Sequence, residues 1–396
     1  MRDMMNQTIK PVLIKNATIH TESEILKRAS LLLKDGIIQQ IIMNQDEGFV
    51  SENPIEIDGT NLHAIPGFID GHIHGANGHD VMDANERALD GIAAILPQEG
   101  ITSFLATTIT QSPTNIERAL ANAGGYISKT RQAEMIGIHL EGPFINKVKA
   151  GAQPEKYIMA PDIEIFQKWQ HISNNKIRTI TLAPELDQEG ELIQYLFSKG
   201  VNVSAGHTNA GFQDMQIAAS LGVRQLTHLC NAMNGLQHRD IGAVGAAFLL
   251  KELRSELIAD GEHVASEMLQ IIYSNIGSDR IILITDAMRA KYLGEGEFDL
   301  GGQPVNVCNG RALLKDGTLA GSILTMQDAV YRMKDLVGAS MEDIIKMTSA
   351  NIAKQLEIYD RKGSIEIGKD ADILLVDDDL KIKYTLCRGE IAYKGK

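Results

Sequence analysis

Two histidines one residue apart, His72-Ile73-His74, close an apolar run that begins PGFID. Residues two apart in an extended strand face the same side, so both imidazoles can reach one ion. Chemically capable residues end other apolar runs in the same way. His139-Leu140-Glu141-Gly142-Pro143 closes one, Gly206-His207 another and His228 a third; Asp260-Gly261-Glu262-His263 follows a fourth, and Asp286 ends IILIT. An isolated His-x-His is more often a pair of hydrogen-bonded core histidines. Its conjunction with Glu141, His207, His228 and Asp286 argues instead for metal ligation. Imidazole and carboxylate donors without thiolates suit Zn²⁺ or Fe²⁺, with Mn²⁺ or Co²⁺ as alternatives. Six candidate ligands (His72, His74, Glu141, His207, His228, Asp286) are too many for one tetrahedral ion. They suit two ions sharing a carboxylate, with Glu141 as the bridge. Gly142-Pro143 implies a sharp turn presenting Glu141. Asp286 can take a proton from water and return it to a leaving group; the bland alternative is a helix N-cap. His139 shares a face with Glu141 and reads as packing or as support for a ligand. His20, His63 and His171 read as surface residues.

These groups need a frame that points them at one place. Apolar, β-rich runs lie near 64–71, 102–108, 135–140, 177–183, 201–205, 224–228, 255–259 and 281–285. Amphipathic helical patterns such as ERALDGIAAILPQEG, IEIFQKWQHIS and VASEMLQIIYSNIG separate most of them. Alternating strand and helix imply a parallel sheet, and eight units suit a closed (β/α)8 barrel, whose catalytic groups sit at the C-terminal strand ends. A doubly wound open sheet is the alternative, but no GxGxxG follows the first strand. Both chain ends are β-rich, and Lys34-Asp35-Gly36 marks a hairpin. The expected organisation is a small sheet domain from 1–62 and 359–396 around a barrel of 63–358. Residues 292–318 read as inserted turns and short strands, and TMQDAVYRMKDLVG and MEDIIKMTSANIAKQL as closing helices.

With 396 residues, 44% of them hydrophobic, the chain can bury a large core. Its net charge of −13 argues against nonspecific binding to nucleic acid or anionic membranes. A local cluster of donors can still hold an anionic small molecule. Cys230, Cys308 and Cys387 form neither a disulfide framework nor a CxxC site. No signal-peptide run or membrane-length apolar stretch is present. The expectation is a cytoplasmic protein.

PGFIDGHIHG (66–75) resembles the first-strand signature of the amidohydrolase superfamily, and GSIEIGKDADILLVD (363–377) its closing sheet. HLEGPF (139–144), SAGHTNA (204–210), THLCNAM (227–233), IADGEHV (258–264), LITDAM (283–288) and LAGSILTM (319–326) are similar to the N-acetylglucosamine-6-phosphate deacetylase family. That resemblance implies a barrel with a β-sandwich, a homodimer, and metal ligands at Glu141, His207 and His228. Some members lack the first-strand histidines and use one metal; His72 and His74 imply the two-metal type, with Asp286 nearby as catalytic acid/base. Sugar-phosphate contacts carry over onto Ala152, Gln153, Asn231, Ala232, Arg239, His263, Leu319, Ala320 and Gly321. Some members have His at the place of Gln153, and an aromatic residue often stands at that of Cys230. Arg239, a planar cation suited to phosphate, is implied to act across the dimer interface, with His238 beside it. The implied reaction yields glucosamine 6-phosphate and acetate, in amino-sugar metabolism. The alternatives are an N-acetylgalactosamine-6-phosphate deacetylase, a cyclic-amide hydrolase, and a non-enzymatic metal or sugar-phosphate binder.

Overall fold

The computed structural model describes residues 10–43 and 53–395. Residues 1–9 and 44–52, within the stretch expected to form the terminal sheet, lie outside the described residues. The centre of the chain is an eight-stranded parallel barrel: β1 (Phe68–Ile73), β2 (Ile101–Thr107), β3 (Glu134–Glu141), β4 (Ile177–Leu182), β5 (Asn202–Ala205), β6 (Val223–Leu226), β7 (Arg254–Leu257) and β8 (Ile281–Leu283), each paired with its neighbour in sequence. A helix follows each strand: α1 (Glu86–Ile95), α2 (Pro113–Gly125), α3 (Ile163–Ile172), α4 (Glu191–Ser198), α5 (Phe212–Leu221), α6 (Gly242–Leu249), α7 (Ser266–Ile276) and α8 (Met326–Val337). β1 and β2 are buried along their whole length because helices cover one face and the packed interior the other. Asn85, Ser112, Asp162 and Thr325 cap the helices that follow them by accepting a backbone N–H.

β1 and β8 meet without a regular ladder. The Asp286 N–H donates to the His72 carbonyl at 2.8 Å. The Asp70 carboxylate accepts from the Thr285 hydroxyl at 2.6 Å and from the His72 N–H at 3.2 Å. The seam is therefore closed beside the residues expected to do chemistry.

The chain ends build a second sheet. Val12–His20 pairs with Ile25–Lys34, which turns at Asp35 (φ 53°) and Gly36 (φ 82°) into Ile37–Ile42. Two successive positive φ values make the turn that matches strand twist. On its other side Val12–His20 runs parallel to His63–Pro66, which pairs with Ile373–Val376 and so brings in Ile382–Cys387 and Glu390–Lys394. Leu31, Leu33, Ile373 and Leu386 share this sheet's core, so both ends of the chain are needed to close it. Expected on the surface, His20 is instead buried: the pairing of Thr18 with His63 brings the two rings together, 2.8 Å from Nε2 to Nδ1. The insertion after β8 is a three-stranded antiparallel sheet (Gly296–Leu300, Gln303–Cys308, Arg311–Leu313) packed on Ile109, Met288 and Ala320. All three cysteines are unpaired. No helix among the described residues is long and apolar enough to cross a membrane.

Candidate metal centre and active site

The six strand-end residues converge at the C-terminal mouth. His207 lies two residues beyond β5, and its Nδ1 is 2.9 Å from the Lys149 carbonyl oxygen. A carbonyl only accepts, so Nδ1–H donates and Nε2 keeps a lone pair. That lone pair faces Glu141 Oε1 at 3.3 Å and His228 Nε2 at 3.2 Å. His228 Nε2 is itself 3.2 Å from Glu141 Oε1. His72 repeats the arrangement, its Nδ1–H donating to Glu256 Oε2 at 3.0 Å. Its Nε2 therefore faces Asp286 Oδ1 at 3.4 Å and Glu141 Oε1 at 3.5 Å. His74 Nε2 lies 3.2 Å from Asp286 Oδ1 and 3.4 Å from Glu141 Oε2. Acceptors thus point at acceptors. His72 Nε2 and Asp286 Oδ1 are buried without a hydrogen-bond partner. Four donors at ~2.0–2.1 Å from a tetrahedral ion stand roughly 3.3 Å from one another, which is the spacing found here. The residues fit divalent metal.

The electrostatics agree. Burial would lower the His74 imidazole, but Asp286 and Glu141 push it up to about 9. Burial would raise the Asp286 carboxyl, yet His72 and His74 hold it at about 2. Burial opposes ionisation of Glu141 too, and His72 with its neighbours keeps it well below the usual range. Without a cation the carboxylates are balanced only by protons taken up on the imidazoles, and a divalent ion would take the place of those protons.

Local backbone explains the presentation. His207, His228 and Asp286 all have positive φ, 47°, 32° and 47°, a region costing about 1–3 kcal/mol at non-glycine residues. Tertiary bonds hold them there. The Asn146 N–H donates to the His207 carbonyl at 2.8 Å, and the Ser322 N–H to the Asp286 carbonyl at 2.7 Å. Gly142, at φ 69°, provides the turn after Glu141; a Cβ there would lie 2.1 Å from the Thr110 hydroxyl. Gly321, at φ 61°, would put a Cβ 3.0 Å from the Asp286 carbonyl oxygen, so the 319–321 turn and Asp286 are fitted to each other. His139 is driven well below its ordinary value by burial, with the charge of His72 adding to the effect. Its Nε2 meets the Thr181 hydroxyl at 2.7 Å, and its ring packs edge-on to His72.

A cavity of about 300 Å³ opens above these groups. Of the expected substrate contacts, Ala152, Gln153, Asn231, Ala232, His263, Leu319 and Gly321 line it. Ala320 lies behind the wall, fully buried under the inserted sheet. Arg239 is exposed in the 235–240 segment, away from the cavity of this single chain. Gln153 is tied down: its Nε2–H donates to Glu141 Oε2 and its Oε1 accepts the Thr110 N–H, both at 2.7 Å. His263 Nδ1 meets Asp260 Oδ2 at 2.6 Å; burial lowers its basicity, and Asp260 more than restores it. Burial pushes the Cys230 thiol up to about 11, which leaves it protonated. Sequence reasoning missed Lys149, the one Lys or Arg among the lining residues, and Glu256 and Asp70 beneath the ligands. The available signal was a carboxylate inside an otherwise apolar barrel run, as in FID and SELIA.

The description "Amidohydrolase family" matches residues 63–392. An N-acetylglucosamine-6-phosphate deacetylase of Bacillus subtilis (strain 168) is 44% identical over 390 residues, 97% of this chain and 98% of that one. An N-acetylgalactosamine-6-phosphate deacetylase of Escherichia coli O157:H7 is 32% identical over 93% of this chain and 99% of its own. The crystal structure of N-acetylglucosamine-6-phosphate deacetylase from Pasteurella multocida superposes with a TM-score of 0.90 at 29% identity, covering 97% of this chain and all of that one. The chain belongs to the amidohydrolase family and, within it, to the N-acetylglucosamine-6-phosphate deacetylases.

Proposed function

We propose that this chain hydrolyses the acetamide of N-acetylglucosamine 6-phosphate to glucosamine 6-phosphate and acetate, as a cytoplasmic enzyme of amino-sugar metabolism. The observation that carries the reading is the outward turn of the Nδ1–H groups of His72 and His207, which leaves their Nε2 lone pairs and two carboxylates facing one another at the floor of the cavity. Glu141, His207 and His228 would hold one zinc or iron ion, and His72, His74 and Asp286 a second, with Glu141 shared. Such ions supply, when bound, Lewis acidity and a lowered pKa for water.

The chain's own groups do the rest. Asp286 orients the attacking water and accepts its proton. His263, made more basic by Asp260, polarises the acetamide carbonyl. As the C–N bond breaks, Asp286 returns the proton to the departing amine. Gln153 holds Glu141 in place. Asn231, Ala232 and the 319–321 turn seat the sugar, and Lys149 meets the phosphate end. Arg239 completes that end from the partner subunit of a homodimer. In this reading the barrel unit spans 63–358 and the terminal unit 1–62 with 359–396, the strand His63–Pro66 lying at their junction.

The test is acetate release from N-acetylglucosamine 6-phosphate, its galactosamine epimer and unphosphorylated N-acetylglucosamine side by side. Preference for the phosphorylated glucosamine is expected. Preference for the epimer would move the assignment to the galactosamine enzyme. Equal turnover with and without phosphate would remove the phosphate end from the account.

A further inference from the structure

Glu256 sits on β7, one strand from His228 and diagonally beneath the mouth, and is fully buried. Each of its oxygens is used. Oε2 accepts from His72 Nδ1–H at 3.0 Å and from the His228 backbone N–H at 3.3 Å; Oε1 accepts from Gln225 Nε2–H at 2.7 Å. Among the described residues no lysine or arginine pairs with it. A buried carboxylate is costly unless something gains from its charge, and here its one ionisable hydrogen-bond partner is His72. The group His72, His139 and Glu256 is close enough to suggest a further ion. The bonds between Glu256 and His72 and between His139 and Thr181 already occupy it.

We propose that Glu256 is the positioning residue for the His72/His74 half of the metal centre. A carboxylate cannot donate, so Glu256 fixes His72 in the Nδ1–H tautomer and turns its Nε2 lone pair into the centre. The same oxygen also accepts the His228 backbone N–H, at 3.3 Å the longer of its two bonds. The inference rests on the two-ion reading above.

The test is zinc titration, by chelator competition, of metal-stripped full-length wild type and Glu256→Gln. Wild type is expected to show two sites per chain. In Glu256→Gln one site weakens about 10–100-fold and the other stays within about twofold; His72→Asn weakens the same site, and the double variant adds little. Two unchanged affinities, or equal weakening of both, would overturn the role of Glu256 while leaving two ions in place. A single site in wild type would overturn the two-ion reading and this inference with it. If Glu256→Gln does not fold, the ¹⁵N shifts of His72 in the zinc-loaded wild type decide: a proton on Nδ1 supports the proposal, and one on Nε2 contradicts it.

Discussion

Strand β3 begins at Glu134 and ends at Glu141, and its two carboxylates live in opposite settings. At the lower end, where the barrel meets the terminal sheet, Glu134, Asp370 and Asp372 surround the buried Lys362, with Lys362 Nζ 2.8 Å from both Glu134 and Asp370 and in direct contact with Asp372. Arg361 joins at 2.7 Å from Glu134, and Arg388 stands 3.8 Å from it. Three carboxylates therefore meet three cations of the chain's own. At the upper end Glu141 and Asp286 meet imidazoles and the Gln153 amide, and among the described residues no lysine or arginine pairs with them. The lower cluster is complete as the chain folds and can serve only stability. The upper one is buried with no lysine or arginine of the chain paired to it among the described residues, and the proposed divalent ion would fill that place.

Substitutions at the two ends should separate these roles. The largest effect belongs to Asp286→Asn, which should lower kcat by about 10²–10⁴-fold in samples matched for bound metal, with the melting midpoint of the metal-free protein not reduced. Turnover at the wild-type rate would remove Asp286 from proton transfer. Lys362→Met leaves three carboxylates without their central cation and should cost about 3–5 kcal/mol in unfolding free energy, with kcat per folded molecule unchanged; denaturant titration of metal-free and metal-loaded protein should show the same loss. Lys149→Met should raise KM for the phosphorylated sugar by about tenfold and leave the unphosphorylated sugar almost untouched. An equal effect on both substrates would place Lys149 outside the phosphate end.

The smallest effect is one of pH. Burial would raise Glu134, but Lys362 and Arg361 bring it below its ordinary 4.5. A depressed carboxylate contributes stability that is present above its unfolded value and lost as pH falls through its folded one. Glu134→Gln should therefore cost on the order of 1 kcal/mol at pH 7 and flatten the decline in stability below pH 4.5. An acid limb identical to wild type would show that Glu134 contributes no linkage.

The upper end was more legible in the sequence than the lower. Strand-end placement is a local pattern. An apolar run followed by His-x-His, or by His-Leu-Glu-Gly-Pro, carries its own register, and the eight runs read from sequence overlap β1–β8, the first of them (64–71) also taking in most of His63–Pro66 of the terminal sheet. The meeting of both chain ends in one sheet was also legible, since each end carried hairpin punctuation. Glu256 was not, because its bond to His72 spans 184 residues and no local spacing encodes it. The Lys362 cluster was hidden in part for the same reason, since Glu134 comes from distant β3, although Asp370 and Asp372 follow Lys362 closely in sequence. The burial of His20 depended on the parallel pairing of Val12–His20 with His63–Pro66, which periodicity alone does not specify. The exposed setting of Arg239 is a property of one chain, whereas the role read for it needs two.

The central claim is that the upper cluster becomes a catalyst when a divalent ion completes it. The direct test is acetate release from N-acetylglucosamine 6-phosphate by chelator-stripped protein as zinc or ferrous ion is added back, with bound metal measured on the same samples. The account predicts negligible release from the stripped protein and activity that rises with bound metal per chain. Undiminished release from protein shown to be free of metal would contradict it.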